Sequence, residues 1–283
     1  MPLQRLEPIL AIKPLREIQA ELLRLLGGLR KQDWGRPTSA SAWTVKDVAA
    51  HLLDGDIRRL SLQRDQLAPT QPDKPIAGYE DLIDFLNQLN ADWVRAAQRI
   101  SPRVLIDLID WAGTRTLDYL QSLDPQAPAL WPVAWAGDEV SPNWFDLARE
   151  YTEKWHHQQQ IREAVGAEGL TSRKWLHPVL DTFVRGLPHR YREVEAEDGA
   201  AVALAVLGPA GDDWTLLRRS GGWRLRRGKP ESPLCLVELE QDTAWRLFTK
   251  SLGVEEARSR ASFQGDRRLG LPIFDLVAVI ARR

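Results

Sequence analysis

Cysteine is almost missing from this sequence: Cys235 is the single one among 283 residues. One thiol excludes an internal disulfide and any metal site built from several cysteines. Such a chain suits a reducing compartment, and we expect a cytoplasmic protein. The amino terminus lacks the apolar segment of a signal peptide. No run approaches the ~18 apolar residues that span a bilayer, so we also expect no association with membranes.

A strong charge of either sign is missing as well. The 38 Lys and Arg residues nearly balance the 39 Asp and Glu residues, for a net charge of −1. No overall field therefore favours nucleic acid, and we expect no nucleic-acid partner. Residues 171–283 carry a net +4 against −5 for residues 1–170. This basic second half either attracts an anionic substrate or is a solvated basic face.

Helical periodicity dominates the first ~165 residues. The apolar spacing predicts five helices, over residues 14–31, 45–66, 79–100, 102–123 and 142–165. Thr44 is a suitable N-cap for the second helix, because Asp47 follows it by three residues and can complete a capping box. Helices of this length favour a bundle of four long antiparallel helices plus an extra one.

The pattern changes after the glycine-containing stretch at residues 166–169. One more helix is predicted over 171–194, followed by strands at 201–207, 214–219, 222–227, 234–239 and 261–264. Two further helices are predicted, at 242–252 and from 267 to the end. Strands with helices on one side form an α+β domain. We therefore predict two domains, a helical bundle over 1–168 and a small α+β domain over 169–283.

Candidate metal ligands lie on two of the bundle helices. Glu153 and His157 are four residues apart, so they project from one face and can chelate one ion. A third ligand must come from another helix, and His51 is the only histidine on the second one. Two neutral imidazoles and one carboxylate leave an open coordination position, which is typical of catalytic zinc. Taken alone, the Glu153–His157 pair is also a common surface pair, and His51 in its apolar run also fits a core histidine.

The remaining histidines and nearby carboxylates have weaker signals. His156 lies one position off the Glu153/His157 face and is a neighbour, a substrate contact or a surface residue. His177 and His189 are interpreted as structural. Asp54 and Asp56 follow His51 and are either acceptors that orient an imidazole or exposed charges.

Two stretches resemble known family signatures. Residues 43–52 (WTVKDVAAHL) resemble the first signature of the DinB-like superfamily, in its mycothiol-dependent maleylpyruvate isomerase branch. Residues 153–166 (EKWHHQQQIREAVG) resemble its second signature. The resemblance implies that His51, Glu153 and His157 ligate the metal and act catalytically through it. The sequence departs from the pattern at Gln160, where the family frequently has Asp.

The resemblance extends to the second half of the chain. That half is similar to the family's small α+β domain, which is related to sterol-carrier-protein folds, and the Gly265–Asp266 pair matches its closing motif. The family implies a divalent metal, zinc or alternatively nickel, and a low-molecular-weight thiol as cosubstrate. A metal with an open position holds the deprotonated sulfur of such a thiol.

The implied reaction is either a cis–trans isomerisation or an S-transfer to an electrophile. The thiol and the electrophilic substrate are the expected partners of a monomer or homodimer. Cys235 lies in an apolar strand and is interpreted as a buried hydrophobe, so the sulfur comes from outside. Cations for substrate carboxylates are available from the arginines of two predicted strands: Arg218, Arg219, Arg224, Arg226 and Arg227.

The sequence is also compatible with two other functions. The first is a non-catalytic, DinB-like metal- or ligand-binding protein of stress response or regulation, because a fold does not establish an activity. The second is a carrier of apolar ligands in the second domain. Its support is the content of 12 tryptophans against 4 tyrosines and 6 phenylalanines, since indole rings line apolar pockets well.

Overall fold

The computed structural model describes residues 3–40 and 42–279. Their contacts group the chain into two compact units, neither of which is one continuous stretch. The first, here called the helical unit, comprises Leu10–Leu130 and Glu153–Gly169. The second, here called the sheet unit, comprises residues 3–9, Trp131–Thr152 and Leu170–Val279. The predicted domain boundary at 168/169 stays a prediction. The contact-based units differ from that boundary, because residues 3–9 and 131–152 belong to the sheet unit.

The helical unit contains four complete helices and the second part of a fifth. They are α1 (Ile12–Gly27), α2 (Val45–Arg58), α3 (Tyr79–Ala97), α4 (Pro102–Ser122) and α5 (Asn143–Val165). The helix α2 packs against α3 and α4, and α1 packs against α4. Their shared core includes Leu22, Val48, Leu53, Leu105 and Ile109, all at most 1% exposed. The predicted bounds of these helices agree with the structure to within a few residues, except at the end of α2.

The start of α2 is fixed by the predicted capping box. The Thr44 hydroxyl accepts from the backbone N–H of Asp47 at 3.4 Å, and the Asp47 carboxylate accepts from the backbone N–H of Thr44 at 2.9 Å. This satisfies two donors that a helix start otherwise leaves unpaired. The α-helix ends at Arg58 and continues as a π-helical segment, Arg59–Arg64, instead of reaching residue 66 as predicted. Such segments are rare and frequently lie at functional sites.

The helix α5 buries polar side chains along its second part. Lys154, Gln158, Gln159 and Gln160 are all at most 7% exposed. The helix ends at Gly166, whose φ of +69° is a left-handed conformation that glycine adopts without strain. A buried polar face on a helix marks a place where hydrogen bonds or a ligand must satisfy it.

The sheet unit holds a five-stranded sheet in the order β3-β2-β1-β4-β5. The strands are β1 (Ala201–Leu207), β2 (Asp213–Arg219), β3 (Gly222–Arg227), β4 (Cys235–Glu240) and β5 (Ser262–Gly265). The β1–β4 pair is parallel and the other pairs are antiparallel. The helices of this part of the chain are α6 (Arg173–Phe183), α7 (Leu187–Arg190), α8 (Gln241–Phe248), α9 (Val254–Ser259) and α10 (Arg267–Gly270). The predicted order of a helical region followed by a small α+β region is confirmed.

Two helix predictions in the second half are wrong, and one helix is missing from the prediction. The predicted helix over 171–194 is broken by a 3₁₀ turn at Val184–Gly186, where a side chain on Gly186 would come within 2.9 Å of Leu276. The predicted carboxy-terminal helix is only α10 followed by a 3₁₀ turn that includes Pro272, which lacks the N–H that an α-helix needs. The part of that prediction beyond residue 279 lies outside the described residues. The helix α9 was not predicted.

Within residues 3–40 and 42–279, no helix combines the length and the apolar character that crossing a bilayer requires.

Candidate functional site

The three predicted ligand residues are neighbours in the helical unit. His51 lies on α2, and Glu153 and His157 lie one turn apart on α5. The ring centroids of His51 and His157 are 4.8 Å apart, with the rings edge to face at 76°. The Nε2 atom of His157 lies 3.6 Å from the nearer carboxylate oxygen of Glu153. Two imidazoles and one carboxylate from two separate helices therefore meet at one place.

The His51 side chain is partly buried, and its imidazole packs against an aromatic ring. The ring of Trp43 lies 4.9 Å from it, tilted by 46°, on the side of the segment that leads into α2. The Nδ1 atom of His51 is buried and has no hydrogen-bond partner among the described residues. Burial first, and then the proximity of His157, lowers the pKa of His51 to about 3, although the Glu153 carboxylate opposes the shift. The ring is neutral at pH 7, which is the form that binds metals.

His157 has a polar neighbour at each ring nitrogen. Its Nδ1 atom lies 2.8 Å from Oε1 of Gln160, which is one turn further along α5. Its Nε2 atom faces Glu153. The ring is therefore held between a neutral amide on one side and a carboxylate on the other. Its side chain is 13% exposed and that of Glu153 is 36% exposed, so solvent reaches this edge of the site.

The donor atoms are adjacent without being arranged as in a coordination sphere. Among residues 3–40 and 42–279, no group of three or more His, Cys, Asp or Glu side chains has the arrangement of metal ligands. The chemistry of the donor set nevertheless fits a divalent cation, because two imidazole nitrogens and one carboxylate oxygen are typical zinc ligands. The unpaired, buried Nδ1 of His51 also fits, since an orphaned buried polar atom calls for an explanation such as an ion.

The carboxylates that follow His51 each contact a cation. The two oxygens of Asp56 accept from the Lys154 ammonium, at 2.9 Å each, and both side chains are at most 2% exposed. Asp54 lies 3.0 Å from the Arg58 guanidinium, and burial raises the pKa of Asp54 while Arg58 opposes the shift. Asp54 and Asp56 are both buried, so the alternative interpretation of them as exposed charges is wrong. The Asp56–Lys154 pair joins the two helices that carry the candidate ligands.

The other histidines divide between the two units. His156 is 8% exposed, and its ring stacks on that of His157 at a centroid distance of 5.6 Å. His177 lies in the sheet unit, where Nδ1 is 3.1 Å from the carbonyl of Ala210 and the ring stacks on Trp214. His189, also in the sheet unit, contacts Arg192. The structural interpretation of the last two is compatible with these contacts.

The arginines of β2 and β3 point to both faces of the sheet, as the strand period requires. Trp214, Leu216 and Arg218 share one face of β2, and the register places Trp223, Leu225 and Arg227 on the same face of β3. The remaining arginines, Arg219, Arg224 and Arg226, lie on the opposite face. Arg227 contacts Asp181 at 3.2 Å, so one of the cations proposed for a substrate is bound to a carboxylate of its own unit.

A helical unit with two imidazoles and a carboxylate gathered from two helices defines a candidate metal-binding bundle. The sequence matches the family described as the mycothiol maleylpyruvate isomerase N-terminal domain over residues 15–162. That match covers more than half of the chain, and it includes all three candidate ligands. The chain belongs to this family. No curated protein matches it in sequence.

Solved structures show the same fold. The crystal structure of the mycothiol-dependent maleylpyruvate isomerase has 14% sequence identity, covering 86% of this chain and 88% of that one, with a TM-score of 0.51. A mutant of that enzyme with one histidine replaced by alanine gives 13% identity, the same coverage and a TM-score of 0.52. The solution structure of the sterol carrier protein domain 2 of Helicoverpa armigera matches 36% of this chain and 80% of that one, with 16% identity and a TM-score of only 0.23.

Two residues of the site had no predicted role. Trp43 was part of the first signature, but nothing in its position indicated that its ring would contact His51. Lys154 sits between Glu153 and Trp155 in the second signature, and its burial against Asp56 depends on how α2 and α5 pack. The polar sequence around Lys154 contains no local signal that this side chain is buried.

Proposed function

We propose that this chain is a metal-dependent enzyme that uses a low-molecular-weight thiol, as a cis–trans isomerase of the maleylpyruvate isomerase type or as a thiol S-transferase. The single observation that carries the proposal is the convergence of His51, Glu153 and His157. Their helices are brought together from opposite parts of the sequence, about a hundred residues apart. The family name supplies the thiol, mycothiol, and the substrate class, an unsaturated keto acid such as maleylpyruvate.

Each residue of the proposed site would have its own role in binding the metal or the thiol. His51 and His157 would hold a divalent cation, zinc or alternatively nickel, through neutral imidazoles, and Glu153 would contribute one negative charge. Bound there, the cation would supply Lewis-acid chemistry that stabilises a thiolate at neutral pH. Trp43 restricts His51 from one side and excludes water from it. The solvent-exposed edge at Glu153 leaves a route for the thiol.

Both reactions begin with attack of the thiolate on an electrophilic carbon. In the isomerisation, the thiolate adds to the cis double bond of an electron-poor alkene, and the carbonyl conjugated with that bond accepts the electron pair. Rotation about the new single bond and departure of the thiolate then give the trans isomer, with no net change in atoms. In an S-transferase the carbon–sulfur bond persists, and a proton or a leaving group balances the reaction.

The first experiment measures metal. Protein purified without chelators is expected to contain close to one zinc or nickel per chain by mass spectrometry. His51→Ala and His157→Ala should each lose it, whereas the matched change His189→Ala in the sheet unit should not. Full occupancy in His51→Ala or His157→Ala would show that the metal is held elsewhere.

The second experiment measures turnover. Metal-loaded protein with mycothiol and maleylpyruvate is followed by absorbance for loss of the cis isomer, and with an alkyl halide by mass spectrometry for a thioether. Turnover of either pair that stops in His157→Ala supports the enzyme. Metal that stays bound without consumption of either pair favours the alternative, a metal- or ligand-binding protein without catalysis.

A further inference from the structure

The contact between His157 and Gln160 bears on which ring nitrogen of His157 carries the proton. Gln160 is 7% exposed and follows His157 by three residues on α5, so the two side chains are neighbours on the helix surface. The separation of 2.8 Å between Nδ1 and Oε1 is that of a good hydrogen bond. Its direction decides which nitrogen of the ring carries the proton.

A neutral imidazole has one donor nitrogen and one acceptor nitrogen. An amide oxygen only accepts, so its contact with Nδ1 requires the proton there. The lone pair is then on Nε2, the atom that faces Glu153 at 3.6 Å. The acceptor nitrogen of His157 therefore faces Glu153, another of the candidate ligands. The opposite tautomer would point an N–H at the place where a cation must bind.

We propose that Gln160 is the positioning residue that sets the tautomer of His157, with Nδ1–H donating to Oε1 and Nε2 left as the metal-binding atom. Partners of this kind, often carboxylates, orient ligand histidines in metal sites. Here the partner is an uncharged amide, so the cluster keeps one negative charge, that of Glu153. The net positive charge left on a bound divalent cation then favours an anionic ligand. The metal-binding half of this inference rests on the proposed function, and the tautomer itself does not.

The substitutions that test it differ in what the side chain can do. Gln160→Glu keeps the length and can accept from Nδ1 but, when ionised, cannot donate. Gln160→Leu can do neither. The matched control is Gln158→Leu, because Gln158 is a buried glutamine of the same helix whose amide donates to the carbonyl of Ile18 at 2.7 Å. A general effect of burying leucine on α5 should appear equally in the control.

The first readout is the ¹⁵N chemical shifts of the His157 ring in metal-free protein, which report the tautomer directly. The wild type and Gln160→Glu should show a protonated Nδ1 and an unprotonated Nε2. Gln160→Leu should show a mixture of tautomers. A protonated Nε2 in the wild type, or an unchanged tautomer in Gln160→Leu, would overturn the proposal.

The second readout is zinc affinity by competition with a chelator. Gln160→Leu should weaken zinc binding about 10–100-fold, as loss of a partner of a ligand histidine does elsewhere. Gln160→Glu should bind at least as tightly as the wild type, and Gln158→Leu should stay close to it. Equal affinity in Gln160→Leu and the wild type would contradict the positioning role. Failure of the wild type to bind zinc would instead count against the proposed function, and the chemical shifts would still decide the tautomer.

Discussion

One buried polar group in each unit shows two different ways in which such groups are satisfied. In the sheet unit, the Asp181 carboxylate accepts from the indole N–H of Trp214 at 3.0 Å, from Arg227 at 3.2 Å and from Arg185 at 2.9 Å. In the helical unit, Nδ1 of His51 is buried with no partner among the described residues. A closed network stabilises a fold, whereas an open one costs free energy that binding can recover. The contrast agrees with the metal site proposed for the helical unit.

The largest expected effect on stability comes from the buried Asp56–Lys154 ion pair of the helical unit. Lys154→Met removes one counter-charge of Asp56, whose side chain is 1% exposed. Removing one partner of a buried ion pair costs about 3–5 kcal/mol, and we expect that loss in the free energy of unfolding. Chemical denaturation followed by circular dichroism measures it, with Lys46→Met as the control, since the Lys46 ammonium donates only to an exposed backbone carbonyl. A loss no larger than in that control would show that the pair does not join α2 to α5.

The sheet unit offers a matched disruption of similar size. Asp181→Leu removes the acceptor of the Trp214 N–H and the carboxylate that pairs with Arg185 and Arg227, and we expect a loss of about 3 kcal/mol. Zinc content should not change, because the candidate ligands belong to the other unit. Loss of zinc from folded Asp181→Leu, measured by mass spectrometry, would remove the functional contrast between the units.

His51→Leu should have the opposite profile. It replaces a partly buried imidazole, whose buried Nδ1 lacks a partner, with an apolar side chain of similar size, so metal-free protein should keep its stability to within about 1 kcal/mol or gain by that amount. Zinc binding should be lost. Denaturation in the presence of a chelator, paired with a zinc assay, checks both halves. A destabilisation as large as that of Asp181→Leu would mean that His51 is a structural core residue.

The smallest effect concerns Trp43, whose ring lies 4.9 Å from His51. Trp43→Phe keeps an aromatic wall beside the imidazole, and we expect a change in stability of about 1 kcal/mol or less. The fluorescence change that accompanies zinc binding should largely disappear, because the Trp43 ring contacts a candidate ligand. Persistence of the full change in Trp43→Phe would assign the signal to another of the 12 tryptophans.

Local rules predicted the elements that local chemistry determines. The capping box at Thr44 and Asp47 placed the start of α2 correctly, and the four-residue spacing of Glu153 and His157 placed them on one face of α5. The strands were found to within a residue or so, because alternation and glycine-containing turns identify them. The meeting of His51 with His157 depends on tertiary packing, and the family resemblance predicted it where spacing alone did not.

Tertiary contacts explain what the sequence did not reveal. The break after α6 lies at Gly186, whose close contacts with Leu276 and Trp135 no helical periodicity indicates. The burial of Lys154 is visible only once α2 lies beside α5. The departure at Gln160 looked like the loss of a carboxylate, but the structure shows its amide in contact with a candidate ligand.

The most direct measurement is the position of a bound metal in a crystal of zinc-loaded protein, from anomalous scattering. We predict one strong peak in the helical unit, at about 2.0–2.2 Å from a ring nitrogen of His51, from Nε2 of His157 and from an oxygen of Glu153. A zinc peak at a different cluster, with these three side chains unchanged, would contradict the account.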